Sequence, residues 1–134
     1  MKIVVVEDSL TVREAILERL GEEPFLTVVG QASSPAEALS TIALSRPDAV
    51  LLDLGLRDGT HGIDVLQQLR TQGFAGYIFV LSASPYESAA FDCKARGANG
   101  FYDKGDGVER LIADLREIAL GKHVEQLRTG RSIT

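Results

Sequence analysis

Cysteine occurs once in these 134 residues, at Cys93, so no internal disulfide can staple the chain. No other Cys or His stands near it at metal-ligand spacing, and it reads as a small, partly buried helix residue. Positive charge is also scarce. Fourteen basic residues face 19 acidic ones, a net charge of −5. That excludes a nucleic-acid footprint, because displacing counterions from a phosphate backbone needs a basic face. No apolar run approaches membrane-spanning length, and Met1-Lys2 leads straight into a short strand rather than a signal peptide. The simplest compartment is a reducing cytoplasm, with no membrane partner. There is no GxxxxGK[ST] loop and no GxGxxG turn, which removes support for nucleotide binding. Neither histidine lies near a strand end. His61 and His123 read as solvated loop residues, and Ser-His-acid catalysis is not expected.

What remains is ordinary in bulk, with 45% hydrophobic and 25% charged residues. A chain of this length forms one domain with a single sizeable core. Ile3–Val6 reads as a first strand. Leu10, Val12, Ala15, Ile16, Leu17 and Leu20 then form a helical stripe, capped by Ser9 or Asp8 and closed by Gly21. Phe25–Val29 is a second strand, stopped by Gly30. Ser34-Pro35-Ala36-Glu37 is a helix start, with Ala36, Leu39, Ile42 and Ala43 facing inward. Ala49–Leu52 is a third strand, ending on Asp53. A glycine-rich loop, Gly55 to Gly62, leads to a helix with Ile63, Val65, Leu66 and Leu69 inside. Tyr77–Leu81 is a fourth strand. The helix Pro85–Arg96 has a thin apolar face of Ala89, Ala90, Phe91 and Ala95, which predicts loose anchoring. Gly100–Tyr102 is the fifth strand. Val108, Leu111, Ile112, Leu115, Ile118 and Ala119 mark the last helix, ended by Gly121. Residues 1–121 are expected to be the domain, and 122–134 a tail or cut linker.

Strand and helix alternate five times, which predicts an α/β fold with a parallel sheet and helices on both faces. Right-handed crossovers cover both faces only if the winding reverses once, and ligands gather at the C-terminal strand edge beside that reversal. The residues leaving the strands are then informative. Glu7-Asp8 follows the first, Asp53 ends the third, Ser82 follows the fourth, and Asp103-Lys104 follows the fifth. Each alone is an unremarkable loop start, since Asp and Ser favour turns. Together, on parallel strands, they bring acids, a hydroxyl and an ammonium around Asp53. Glu7, Asp8 and Asp53 would repel one another unless a cation joined them. Oxygen donors at that density suit Mg²⁺, which takes one or two carboxylates and recruits phosphate oxygens. A solvated acidic rim is the alternative for any one pair. A nucleophilic carboxylate beside Mg²⁺, a hydroxyl and a lysine describe a phosphoryl acceptor forming an aspartyl phosphate.

Four stretches carry a resemblance: Val4-Val5-Val6-Glu7-Asp8, Ala49-Val50-Leu51-Leu52-Asp53, Val80-Leu81-Ser82-Ala83 and Gly97-Ala98-Asn99-Gly100-Phe101-Tyr102-Asp103-Lys104. In that order they resemble the receiver domain of bacterial response regulators in two-component signalling. The resemblance spans roughly residues 1 to 121. It implies a doubly wound, flavodoxin-like (CheY-like) sheet of order 2-1-3-4-5. It implies that Asp53 accepts a phosphoryl group from a sensor histidine kinase or phosphotransfer protein. Asp8 and Asp53 would ligate Mg²⁺ directly, Glu7 through water, and Gly55 through its backbone carbonyl. Ser82 and Lys104 would hold phosphoryl oxygens, and Ala83 would leave room for the group. Phe101 matches the switch aromatic, turning inward as Ser82 moves. The surface made by the Pro85–Arg96 helix, the last strand and the last helix would then change, to meet a partner, an output domain or a second copy. Such a domain forms and hydrolyses its own acylphosphate but turns over no metabolite.

The chain departs from the pattern in places. Arg57 replaces a common proline, and the loop from Asp53 to Gly62 is one residue longer. Gly105 follows Lys104 where a proline with a preceding cis bond is common, and that bond costs about 3 kcal/mol before a non-proline. Phe101 lacks the hydroxyl of the commoner tyrosine. Other readings are weaker. A receiver acting without phosphate would not need the full acid set. A phosphatase of similar sheet would carry a second Asp where Gly55 stands. A flavin-binding protein would not place Glu7-Asp8 in its phosphate loop. The Ile118-Ala119-Leu120-Gly121-Lys122 ending resembles regulators that continue into a helix-turn-helix domain.

Overall fold

The computed structural model describes residues 1–55, 62–83 and 87–121 and, of residues 87–89, the backbone only. Expectations about Arg57, His61, Pro85, His123 and the tail 122–134 lie outside the described residues. Ten elements alternate: β1 (Lys2–Val6), α1 (Leu10–Gly21), β2 (Thr27–Ala32), α2 (Pro35–Ser45), β3 (Ala49–Asp53), α3 (Gly62–Thr71), β4 (Tyr77–Ser82), α4 (Glu87–Ala95), β5 (Gly100–Asp103) and α5 (Val108–Leu120). The strands form one parallel sheet of order β2-β1-β3-β4-β5. The chain steps outward from β1 to β2, then crosses back to β3, so the winding reverses between β1 and β3. The fold class expected from the alternation is the one observed.

Period-two alternation divides the central strands between two cores. Val4, Val6, Val50, Leu52, Ile78 and Val80 face α2, α3 and α4, meeting Ala38, Ile42, Val65, Leu66, Leu69 and Cys93. Ile3, Val5, Ala49, Leu51, Phe79 and Leu81 face α1 and α5, meeting Ile16, Leu20, Leu111, Ile112 and Leu115. Each fully buried Val, Leu, Ile or Phe among them contributes about 1.5–3 kcal/mol from water exclusion. Strands buried on both faces must be continuous apolar runs, which is why they were legible.

Several boundaries and faces differ from expectation. β2 runs from Thr27 to Ala32, not from Phe25 to Val29. Ile3 pairs Val28 and Val4 pairs Gly30, so Val29 is an extra bulge residue and the strand continues past it. Gly30 is not a stop. A Cβ there would lie 2.5 Å from the Thr41 methyl of α2, so the glycine lets the helix close on the strand. On α2, Ser34 caps as expected, accepting from the Glu37 N–H. The buried residues are Ala38 and Ile42, with Leu39 at the margin, whereas Ala36 and Ala43 are exposed. On α1, Ser9 is the cap, and Ile16 and Leu20 are buried; Leu10 is 58% exposed and Ala15 is exposed as well. On α4, Phe91 is 74% exposed and Ala95 is exposed, while Cys93, expected to be partly buried, has 0% exposure. The large aromatic marks the exposed face, and the Cys93 thiol is the side chain that packs under α4. β4 and β5 each extend one residue further than expected, to Ser82 and Asp103. No cis peptide bond occurs among the described residues, so Lys104-Gly105 is trans.

Candidate functional site

Register alone places the candidate residues along one edge. Val6 is level with Leu52, Asp53 with Leu81, and Ser82 with Asp103. The ladder is extended past the strands: Glu7 N–H donates to Ala32 O (2.9 Å), Leu54 N–H to Leu81 O (2.9 Å) and Lys104 N–H to Ser82 O (2.8 Å). Glu7, Asp53, Ser82 and Lys104 therefore leave the sheet side by side, beside the reversal between β1 and β3. Glycine permits the close wall of the site. A Cβ on Gly62 would meet Asp53 O at 2.2 Å, so only glycine lets α3 begin against the backbone after Asp53.

Lys104 Nζ lies 2.8 Å from Glu7 Oε1 and 2.9 Å from Asp53 Oδ1. Glu7 and Asp53 are 1% and 2% exposed, and Ser82 is also buried. Asp8 is half-buried, and Glu7, Asp8 and Asp53 each offer an oxygen within 4.8 Å of the others. Glu7 Oε2 accepts from the Ser9 N–H (3.1 Å). Asp53 Oδ1 also accepts from the Gly55 N–H (3.1 Å), and a Cβ on Gly55 would touch nothing within 4 Å. Among the described residues two side-chain oxygens, Glu7 Oε1 and Asp53 Oδ2, are buried without a hydrogen-bond partner; the first has the Lys104 ammonium beside it as an ion pair.

Three carboxylates facing one ammonium leave an excess of negative charge. Burial pushes the Asp53 carboxyl up to about 6; the Lys104 hydrogen bond opposes that rise and the nearby Glu7 charge adds to it. Desolvation works to lower the Lys104 ammonium, but hydrogen bonds to Glu7 and Asp53 outweigh it and hold its pKa above the ordinary value. An orphaned, desolvated carboxylate oxygen costs about 1–3 kcal/mol or more. It is relieved by a proton or by a cation. Three convergent carboxylates, with Asp53 Oδ2 buried and unpartnered among them, fit a hard divalent ion.

Sequence reasoning brought Glu7, Asp8, Asp53, Ser82 and Lys104 to this edge, with Gly55 beside them, and the structure places them there. Phe101 is half-buried on β5, packed against the core that includes Cys93. Three polar residues were missed. Arg13 donates to Glu7 O at 2.7 Å and to Gln31 Oε1 at 2.9 Å. Tyr102 donates its hydroxyl to Asp114 Oδ2 at 2.5 Å, tying β5 to α5, with Arg110 stacked over its ring. Arg70 donates to Phe74 O, Gly76 O, Gly97 O and Asn99 Oδ1. Only Arg13 left a trace in the sequence. It stands in the first turn of α1, which holds no acid, and there the helix dipole disfavours a cation unless something holds it.

Fold and site together define a doubly wound α/β domain with a cluster of carboxylates at its topological switch point and a lysine paired to two of them. The chain matches the response regulator receiver domain family over residues 3–116, and it belongs to that family. It is 30% identical over 133 residues to the DNA-binding transcriptional activator DevR/DosR of Mycobacterium tuberculosis, covering 99% of this chain and 57% of that protein. It is 31% identical over 122 residues to the nitrate/nitrite response regulator protein NarL of Escherichia coli, covering 91% of this chain and 56% of that protein. The chain thus spans about half the length of the curated relatives it matches. Among solved structures, a LuxR-family two-component response regulator from Aurantimonas superposes with a TM-score of 0.82 at 27% identity, covering 90% of this chain and 85% of that one.

Proposed function

We propose that this receiver domain is a phosphoacceptor switch in which Asp53 takes a phosphoryl group from a phosphohistidine on a sensor histidine kinase or phosphotransfer protein. An Asp53 oxygen attacks phosphorus, the P–N bond breaks, and the imidazole nitrogen leaves with the bond's electrons and gains a proton. The observation that carries this reading is the buried, unpartnered Asp53 Oδ2 at the reversal point of the sheet. Asp8, Asp53 and the Gly55 carbonyl would hold Mg²⁺, with Glu7 acting through water. When bound, Mg²⁺ would supply positive charge against both the nucleophile and the incoming phosphoryl oxygens. Lys104 already sits at Asp53 Oδ1, and on phosphorylation it exchanges a carboxylate for a phosphoryl oxygen. Ser82, one strand over, donates its hydroxyl to another, and the open space at Gly55 leaves room for the group.

The added group carries about −1.5 to −2 charge. Drawing Ser82 toward it frees space beside Phe101, whose ring turns in and alters the face made by α4, β5 and α5. That face carries exposed Phe91 and Lys94 next to Arg110. It would serve a partner, an output domain or a second copy. DevR/DosR is named for DNA binding. Here we assign any DNA contact to residues outside the acidic receiver. The domain forms and hydrolyses its own acylphosphate and is not a metabolic enzyme. A cytoplasmic setting belongs to the same reading, and the free Cys93 thiol is compatible with it.

The test is labelling by a small phosphodonor with Mg²⁺. Wild type is expected to gain one base-labile phosphoryl group, and Asp53→Asn to gain none. Equal labelling of the variant refutes the acceptor assignment. A folded wild type that stays unlabelled and ignores Mg²⁺ would favour a receiver acting through its surfaces alone.

A further inference from the structure

Glu7 makes three hydrogen bonds and one ion pair at the opening of the site. Its N–H donates to Ala32 O, Oε2 accepts from the Ser9 N–H, and Oε1 pairs with Lys104. Its carbonyl accepts from Arg13 Nη1 at 2.7 Å. That last contact reaches beyond Glu7. The Glu7 carbonyl belongs to the peptide plane joining Glu7 to Asp8, so a donor fixing its oxygen fixes the direction in which Asp8 departs. The same guanidinium donates through Nε to Gln31 Oε1 on β2, at 2.9 Å. Arg13 therefore straps the β1–α1 turn to both α1 and β2.

Electrostatics cuts both ways at this placement: the excess of carboxylates, and Glu37, attract the guanidinium, while the helix end and any bound cation oppose it. The first turn of a helix is its positive end, which disfavours a cation. A guanidinium close to three convergent carboxylates also repels any divalent ion they hold. Arg13 is bound there by two hydrogen bonds from different edges of one planar group, Nε to Gln31 Oε1 and Nη1 to Glu7 O, a span that the compact ammonium of lysine cannot copy. We infer that Arg13 is a positioning residue for the cation site: by fixing the Glu7–Asp8 peptide it sets the affinity for Mg²⁺, against its own charge. This rests on the proposed cation site at Glu7, Asp8 and Asp53.

The sign of one measurement separates geometry from charge. Mg²⁺ affinity is read by calorimetric titration of the unphosphorylated protein, so no phosphoryl transfer is involved. Arg13→Ala removes a repelling charge; charge alone makes Mg²⁺ bind more tightly. Lost positioning makes it bind more weakly, by about tenfold, as outer contacts of metal ligands commonly do. Arg13→Lys keeps the charge but loses the planar group that spans both acceptors, and is expected to weaken binding by a similar factor. Gln31→Ala leaves every charge in place and is expected to weaken it less. Tighter binding in Arg13→Ala, or unchanged binding in Arg13→Lys, overturns the inference. So does a fall in melting temperature with no change in affinity, which marks a structural role only. A wild type that binds no Mg²⁺, or an Asp53→Asn variant that binds it equally well, would instead defeat the cation site. A wild-type site that Asp53→Asn destroys and Arg13→Lys leaves unchanged defeats only the role given to Arg13.

Discussion

A carboxylate taken out of water keeps its proton longer, and Asp53 is the residue where this matters. Its ordinary value is 3.8 and in the folded protein it is about 6. Between those values the folded state holds a proton that the unfolded state has released. Stability must therefore fall as pH rises through that window. In metal-free buffer, wild type is expected to lose about 2 kcal/mol between pH 4 and pH 7 relative to Asp53→Asn, as judged from urea melts. Parallel curves would show that Asp53 is not desolvated. At neutral pH without metal, Asp53→Asn is expected to be the more stable protein. Tyr102 supplies a second test. Burial, and the bond to Asp114, hold its hydroxyl protonated well above its usual range. Tyr102→Phe removes that bond and is expected to cost about 1 kcal/mol in thermal or denaturant unfolding.

At the scale of elements, α4 separates what periodicity reveals from what it misleads. Phe91 belongs to the thin apolar face expected to turn inward, yet Cys93 is the buried side chain among those described on that helix. Phe91→Ala is expected to change stability by less than about 0.5 kcal/mol, as exposed substitutions do. Ile112→Ala on α5, in a stripe that was read correctly, should cost about 2–5 kcal/mol. A large loss in Phe91→Ala would put that ring back in the core. The C-terminal end of α4 is held from α3, where Arg70 reaches the Gly97 carbonyl and Arg96 bonds Gln67. Arg70→Ala leaves several carbonyls without donors. It is expected to cost about 2 kcal/mol or more, with faster amide exchange at Gly97–Asn99. On the opposite face, Arg19 bridges Glu109 and Glu23, and Arg116 also meets Glu23, so α1 and α5 are tied by charge.

For the whole molecule, the acidic edge means that folding and cation binding are linked. Any ion that binds only the folded state raises stability by RT ln(1 + [L]/Kd). Millimolar Mg²⁺ is expected to raise the melting temperature of wild type, and to raise that of Asp53→Asn by less. Equal shifts would argue against Asp53 as a ligand. Much of this was readable beforehand, for one reason. Parallel strands covered on both faces must be apolar runs, so the residues that end them stand out. Ala49–Leu52 before Asp53 and Tyr77–Leu81 before Ser82 are such runs. Helix faces were less legible, because Ala36, Ala38 and Ala43 differ in burial but not in chemistry.

By itself, then, the sequence determined the alternation of elements, the two-faced burial of the central strands and the chemical types at their ends. Those follow from local hydrophobicity and turn chemistry, which act over a few residues. Only the tertiary structure decided that β2 carries a bulge at Val29 and that Cys93 rather than Phe91 fills the space under α4. It also decided that Arg13, Arg70 and Tyr102 find their partners across the fold. Those depend on how closely helices and strands approach, and no spacing along the chain records that distance.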